Sequence, residues 1–413
     1  MRRKPKVVIR NLRRHGISIF RIVVDRIICK LVLNGNSPFS SRTIAMAATR
    51  LTRWKLAEKF WDKTNQNELS PKEFALQASA MLRAKRYEDA LKVADSATSA
   101  GKISLELELA RAEAFWHLKD LASLEKSRKR AITLLRKPSE AQISLIMNEN
   151  QVVNIFSRLI LLKVMEPEFE KILKLAEKLG PVEHPESPAF VFWNTGALNA
   201  PKLVKTCIHQ MHSVYGEKLV ELSSRNLEEY LPEARQLSRV AKLWPANYSD
   251  AIRVGLLARH GGVWLDATVF TVENSLLQTE KYLKSDFFVH IYNGPRIASW
   301  FMVARPGSHQ ARMLYAAMLN YWSTNRKLKN YFLFHDVFEV LYHLDPKFKA
   351  EFDAGSQLDA RPSLNLQKAL WLARDEEAMN EILEDRPVQK LTYKPGKKPH
   401  GEGTLFEWFE AQA

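Results

Sequence analysis

Hydrophobic and polar positions are distributed in two textures that meet near residue 180. From about Thr43 to Leu179, apolar residues alternate with Lys and Glu in stretches rich in Ala and Leu, with hardly any Gly or Pro between Gly35 and Gly180. This composition predicts one helix after another. The pattern also repeats at about thirty-four residues: Ala78 corresponds to Ala112, Met81 to Phe115, Tyr87 to Leu121 and Ala97 to Ala131. Small residues at such positions let two helices approach closely, and aromatics fill the gap to the next pair. Beyond the Pro-rich stretch 180–188 the texture changes. Ala189-Phe-Val-Phe-Trp-Asn194 is a short apolar run suited to a buried strand. Pro201 opens a helical stretch ending near Gly216, and Leu219–Leu222 suits a second strand. Strand, helix, strand opens a parallel, nucleotide-binding layout.

The densest chemistry lies between Tyr248 and Thr268. Ser249 is expected to cap a helix whose first turn holds Asp250. Asp250 and Arg253, three residues apart, share a helical face and can meet one ligand. Gly261 and Gly262 end that helix without a Cβ penalty. Val263-Trp264-Leu265 then forms a short strand that delivers Asp266 at its C-terminal end, the usual mouth of an α/β site. Carboxylates there accept hydrogen bonds from sugar hydroxyls or hold a divalent cation on a diphosphate. A guanidinium neutralises charge developing on a leaving group. Each residue has a structural reading beside the functional one: a surface ion pair for Asp250 with Arg253, a turn cap for Asp266, and a core tryptophan for Trp193. His335, in the aromatic run Tyr331 to Phe338, reads first as a core histidine and only second as a metal ligand.

Composition narrows the picture. At 413 residues, 46% hydrophobic and 26% charged, the chain is globular and long enough for two domains. Two cysteines, Cys29 and Cys207, make neither a disulfide framework nor a zinc set, which fits a reducing compartment. No uncharged apolar run reaches spanning length, and Arg21 and Asp25 interrupt the stretch that would otherwise suggest a secretory leader. Of the net charge of +16, a large share sits in the first thirty residues, where ten Lys or Arg face one acid, Asp25. Interleaved with aliphatic residues, this segment suits either an anionic membrane interface or a basic helix packed on its own protein. No nucleic-acid-binding motif accompanies the charge, so nucleic acid is not expected as a partner. Phosphate-loop, dinucleotide, nucleophile-elbow and zinc-protease motifs do not occur.

Two resemblances add to this reading. Tyr87-Glu-Asp-Ala-Leu-Lys looks like the start of the second helix of a tetratricopeptide repeat, and Trp54–Trp61 like a degenerate copy one unit earlier. The pattern Ser249-Asp-x-x-Arg253 … Gly261-Gly-x-Trp-x-Asp266 resembles the capsular polysaccharide synthesis family of glycosyltransferases. These are related to mannosyltransferase-like and toxin-like enzymes with a Gly-Gly-x-Tyr-x-Asp-x-Asp element. Trp193-Asn-Thr-Gly196, Pro201–Ile208, Ser299-Trp-Phe-Met302, Tyr321-Trp322 and Tyr331–Asp336 resemble further segments of that family. The likeness covers about Ala189 to Asp353.

That resemblance implies a GT-A-like, Rossmann-type nucleotide-sugar domain at 188–355, behind an all-α tetratricopeptide-like domain at 43–180. A basic segment at 1–42 and a helical extension at 356–413 flank them. It implies donor contacts from Trp193, Asn194, Asp250, Arg253, Gly261, Gly262, Asp266, Thr268 and Ser299, with Asp266, Asp250 and Arg253 at the reacting centre. Manganese or magnesium would be held by Asp266, with His335 a weaker candidate. Thr268, standing where the wider superfamily has its second aspartate, weakens the case for that ion. The expected substrates are a nucleoside diphosphate sugar and a cell-surface or lipid-linked glycan, used on the cytoplasmic side, with the basic segment near the membrane and the repeats free to bind a protein. The alternative is a non-catalytic scaffold with a worn sugar-nucleotide domain.

Overall fold

The computed structural model describes residues 28–29, 39–50, 54–135, 158, 161–182, 187–293, 295–324, 331–394 and 403–413. The chain separates into two units, Met1–Phe156 and Ser157–Ala413. Most of the basic segment at 1–42, and with it the expected membrane contact, lies outside the described residues. Among those described, no helix is long and apolar enough to cross a membrane.

In the first unit, helices follow one another as Ser41–Arg50 (α1), Trp54–Trp61 (α2), Pro71–Arg83 (α3), Tyr87–Ser99 (α4), Leu105–His117 (α5) and Leu121–Leu135 (α6). Local sequence fixes their starts. Glu73 accepts a hydrogen bond from the Ser70 backbone N–H, Pro71 occupies the first turn, and the Ser104 hydroxyl accepts from the Leu107 N–H. Helix α3 packs on α4, α4 on α5 and α5 on α6. The thirty-four-residue period is present in the backbone: α3 and α5 begin that far apart, as do α4 and α6. Even the turns repeat, because Lys85 and Lys119 both sit at φ 62° in the tight link between paired helices. Ala78, Ala97, Ala112 and Ala131 are fully buried, as close helix contacts require.

The second unit is a mixed α/β domain. Phe169–Lys178 (α7) leads into Ala189–Phe192 (β1), Lys202–Tyr215 (α8), Leu219–Leu222 (β2), Pro245–His260 (α9) and Gly262–Asp266 (β3). Val269–Thr271 (β4), Phe287–Asn293 (β5), Arg296–Ala304 (β6), His309–Thr324 (α10) and Leu333–Leu344 (α11) follow, then Val388–Lys390 (β7) and Leu405–Ala411 (α12). The main sheet has the order β2-β1-β3-β6-β5. Strands β2, β1 and β3 are parallel, while β6 runs antiparallel to β3, and β5 to β6. A second, two-stranded sheet pairs β4 with β7.

Alternation along the strands sorts residues between the faces. Ala189, Val191, Val263 and Leu265 pack with Leu203, Cys207 and Met211 of α8 in one core cluster. On the other face Phe190 meets His260 and Phe192 meets Tyr248, both on α9. The same alternation puts Trp264 and Asp266 on the α9 side. Helix α9 lies so close to α10 that a Cβ on Gly255 would stand 2.8 Å from the Tyr315 ring. Elsewhere in this unit, Arg158 is buried against Glu339 at 2.6 Å and Asp336 at 3.6 Å, tying down two successive turns of α11.

Candidate active site

Chain order in the sheet defines where a ligand crevice should open. The chain passes from β1 to β2 on one side, then crosses to β3 on the other, so the direction of progress reverses between β1 and β3. In open α/β sheets ligands bind outside the C-terminal strand ends at such a switch point. Here those ends are Phe192, followed by Trp193, and its register partner Asp266.

Arg253 is the centre of what gathers there. One terminal nitrogen donates to both the carbonyl and the hydroxyl of Ser299, each at 2.7 Å. The other lies 3.2 Å from Asp250 Oδ1 and 3.3 Å from Asp266 Oδ1. Its Nε donates to the Ser249 carbonyl at 3.3 Å. The guanidinium carbon stands 5.4 Å from the Trp264 ring centre, and the Trp264 indole N–H donates to Asp266 Oδ1 at 3.0 Å. Trp264 therefore serves both charged partners, which the motif alone did not disclose. Ser249 does not begin the helix as the sequence suggested. Pro245 does, so Asp250 sits one turn further in, buried, and its carboxylate faces Arg253 instead of free backbone N–H groups.

The electrostatics differ between the two acids. Burial pushes the Asp250 carboxyl up to about 6, with Arg253 pulling it back and Asp266 adding to the rise. Asp266 also suffers burial. Arg253, Lys390 and the Trp264 N–H outweigh that burial and hold it below the usual carboxylate value. Asp250 thus binds a proton more readily in the native state than in the unfolded chain, and its charge costs stability as pH rises from about 4 through about 6. Asp250→Asn removes this titration. Its melting temperature relative to wild type is expected to be higher at pH 7.5 than at pH 5, by about 2–4 °C. Thermal melts at the two pH values check this, and a difference independent of pH would contradict it.

The residue that sequence reasoning missed is Lys390. Its ammonium lies 3.0 Å from Asp266 Oδ2 and donates to the Thr268 hydroxyl. No local motif marks it, because it arrives from 124 residues away in sequence on β7, paired across from Val269. Thr268 is buried and its carbonyl accepts from the Leu391 N–H at 2.8 Å, so backbone pairing fixes the lysine's approach.

The other expected residues fall at varied distances from this cluster. Trp193 follows β1 and meets Tyr393 edge to face, with ring centres 5.6 Å apart. The Asn194 carbonyl accepts from the Ser224 N–H and hydroxyl, bracing the loop after β2, while the Asn194 side chain is exposed. Gly261 and Gly262 shape the backbone between α9 and β3 at φ 64° and 84°. His335 is held neutral, with its pKa lowered to about 4 by burial and then by the charge of Arg253, while Asp266 opposes that shift. Its Nδ1 is buried without a hydrogen-bond partner among the described residues. An open cavity of about 710 Å³ lies to the β2 side, bordered by Thr195, Lys205, His209, His212, Glu221 and Arg225. None of the charged cluster lines it.

A divalent cation does not fit Asp266 in this arrangement. Its Oδ1 accepts from the Trp264 N–H beside Arg253, and its Oδ2 carries Lys390. The neighbouring oxygen, on Thr268, is uncharged and already holds the same lysine. Magnesium-like ions at a diphosphate need only one or two carboxylates besides phosphate oxygens and water, but the one carboxylate here already faces two fixed cations, Arg253 and Lys390, which repel a third. Among the described residues no group of three or more His, Cys, Asp or Glu side chains gathers as a metal set.

A mixed α/β domain with an Asp–Arg–Asp cluster at its switch point is the class this geometry defines. Residues 142–407 match the family model of capsular polysaccharide synthesis proteins, and the chain belongs to that family. The match is wider than the stretch its motifs suggested and takes in Lys390 as well as the cluster. No curated protein matches the chain. Among solved structures the PaToxG glycosyltransferase is similar over 47% of this chain and 84% of its own, at 15% identity and a TM-score of 0.28.

Proposed function

We propose that the second unit is a GT-A-like glycosyltransferase domain that moves a sugar from a nucleoside diphosphate donor to a polysaccharide or lipid-linked acceptor in capsule-type synthesis. The observation that carries the reading is Arg253, held by Asp250, Asp266 and Ser299 beside the ends of β1 and β3. Its fixed guanidinium is placed to neutralise a departing diphosphate, and the flanking carboxylates are placed to accept hydrogen bonds from donor hydroxyls. Membership of a capsule-synthesis family supports the same substrate class. Trp193 at the β1 end would lie against the base. The paired helices of the first unit, read as tetratricopeptide-like, would offer a surface to a protein partner. Work at the cytoplasmic membrane face suits the basic segment.

Donor hydrolysis across a panel of nucleotide sugars, with and without manganese or magnesium, tests the reading. Wild type should consume one donor preferentially. Asp266→Asn, which keeps shape and loses charge, should lower that rate about tenfold or more, as expected for losing a charge-assisted contact. Absence of both turnover and binding for every donor would sink the transferase and leave the scaffold alternative.

A further inference from the structure

We propose that Lys390 is the built-in cation of the donor site, meeting the donor's diphosphate where related Asp-x-Asp elements place a divalent metal. The inference rests on the sugar-nucleotide reading above and adds to it the means of charge neutralisation. Three observations converge. The lysine ammonium sits between the oxygens of residues 266 and 268, the two positions that an Asp-x-Asp element would use to hold an ion. It reaches them from a strand, not from a loose tail, with Lys390 opposite Val269 and the Leu391 N–H bonded to the Thr268 carbonyl. It keeps access to solvent, because the Lys390 and Asp266 side chains are 21% and 22% exposed while Arg253 behind them is 7% exposed.

Threonine at 268 then has a positive reason. A second aspartate there would offer Lys390 a second full charge and bind it too tightly to turn toward a ligand. A hydroxyl orients the ammonium without a second charge, and with Asp266 taking another hydrogen the third is left for a ligand; an ammonium is an effective phosphate partner as a point charge. Asp266 becomes the shared anchor of two cations, Arg253 on one oxygen and Lys390 on the other. Lys390 is the outer of the two, with Arg253 behind it adding its charge at short range. With one lysine and one arginine present before any ligand arrives, a diphosphate finds two positive charges already oriented, without recruitment of an ion.

Calorimetric titration of the full chain with UDP, GDP, ADP and CDP, and with the matching nucleosides, tests this, first in EDTA and then in manganese. At least one diphosphate should bind in EDTA, and manganese should change its affinity less than about threefold. Lys390→Met should weaken that diphosphate about tenfold or more and leave the matching nucleoside unchanged. Lys390→Arg should restore most of the loss. Wild-type binding that requires manganese, or diphosphate binding indifferent to Lys390→Met, would overturn the assignment while leaving the transferase reading intact. Absence of any nucleotide binding in either condition would overturn both. The wild-type comparison needs no variant, so a poorly folded Lys390→Met could not shield the idea.

Discussion

Arg253→Met should lower donor turnover by about two to three orders of magnitude, the scale seen when a preorganised donor to a developing negative charge is removed. Methionine roughly fills the stem's volume but supplies none of the contacts to Ser299, Asp250 and Asp266. Two effects add. The leaving diphosphate loses its fixed partner, and the Asp250 and Asp266 carboxylates are left facing each other with only Lys390 nearby. Asp250, already raised to about 6 by burial, should then move further up and titrate near neutral pH. Steady-state rates from pH 5 to 9 separate the two contributions. A loss uniform across pH reports the missing guanidinium, and a loss deepening toward neutral and alkaline pH reports carboxylate repulsion. Arg253→Lys keeps the charge but cannot serve Ser299 and both acids at once, so it should recover only a minor part of the rate. A rate within about threefold of wild type for Arg253→Met would remove this arginine from the chemistry.

The largest expected effect on stability comes from a glycine. At Gly262 a Cβ would stand 1.9 Å from the Pro188 carbonyl oxygen, and the backbone sits at φ +84°. That carbonyl accepts the Val263 N–H, the bond that starts β3 beside β1. Alanine must therefore both adopt a strained conformation and push away the backbone that registers the two central strands. Gly262→Ala should cost about 4 kcal/mol or more, in the range reserved for broken backbone geometry, and should leave little folded protein at 37 °C. Urea unfolding of the variant measures it. The neighbouring Gly261 makes a comparable demand, with a Cβ 2.5 Å from the Pro306 nitrogen. A midpoint unchanged from wild type would mean that β1 and β3 are held together in some other way.

Local chemistry made much of this protein legible in its sequence. The double glycine announced the end of α9, the apolar triplet after it announced β3, and the three-residue spacing placed Asp250 beside Arg253 on one helical turn. The thirty-four-residue recurrence of alanines corresponds to real helix pairs, because close packing admits little else at those positions. The start of α9 was misplaced because Ser249 is a good capping residue, yet Pro245 a turn earlier is an equally strong opener and tertiary packing favours the longer helix. What sequence could not disclose was whatever depends on folding at a distance. Trp264 could be placed on β3, but not with its indole N–H donating to Asp266, and Lys390 has no sequence neighbours to mark it among many lysines. Ser299 could be placed near the site, but not as the hydroxyl and carbonyl that hold the arginine's outer nitrogen.

The pairing of β4 with β7 also sets the order in which the protein can become functional during its own synthesis. A nascent chain that has emerged as far as Ala304 already contains Asp250, Arg253, Asp266 and Ser299 and the strands β1, β3 and β6 that carry or flank them, although residues after 360 still have to join their core. It still lacks the strand that carries Lys390, which must close a loop of more than a hundred residues onto Thr268. Such a closure is entropically late and kinetically slow. Until it happens, Asp266 has one cation instead of two, and on the assignment proposed for Lys390 a chain without that strand should bind a diphosphate about tenfold more weakly. On that proposal, the last strand to pair is also the one that completes the charge of the donor site.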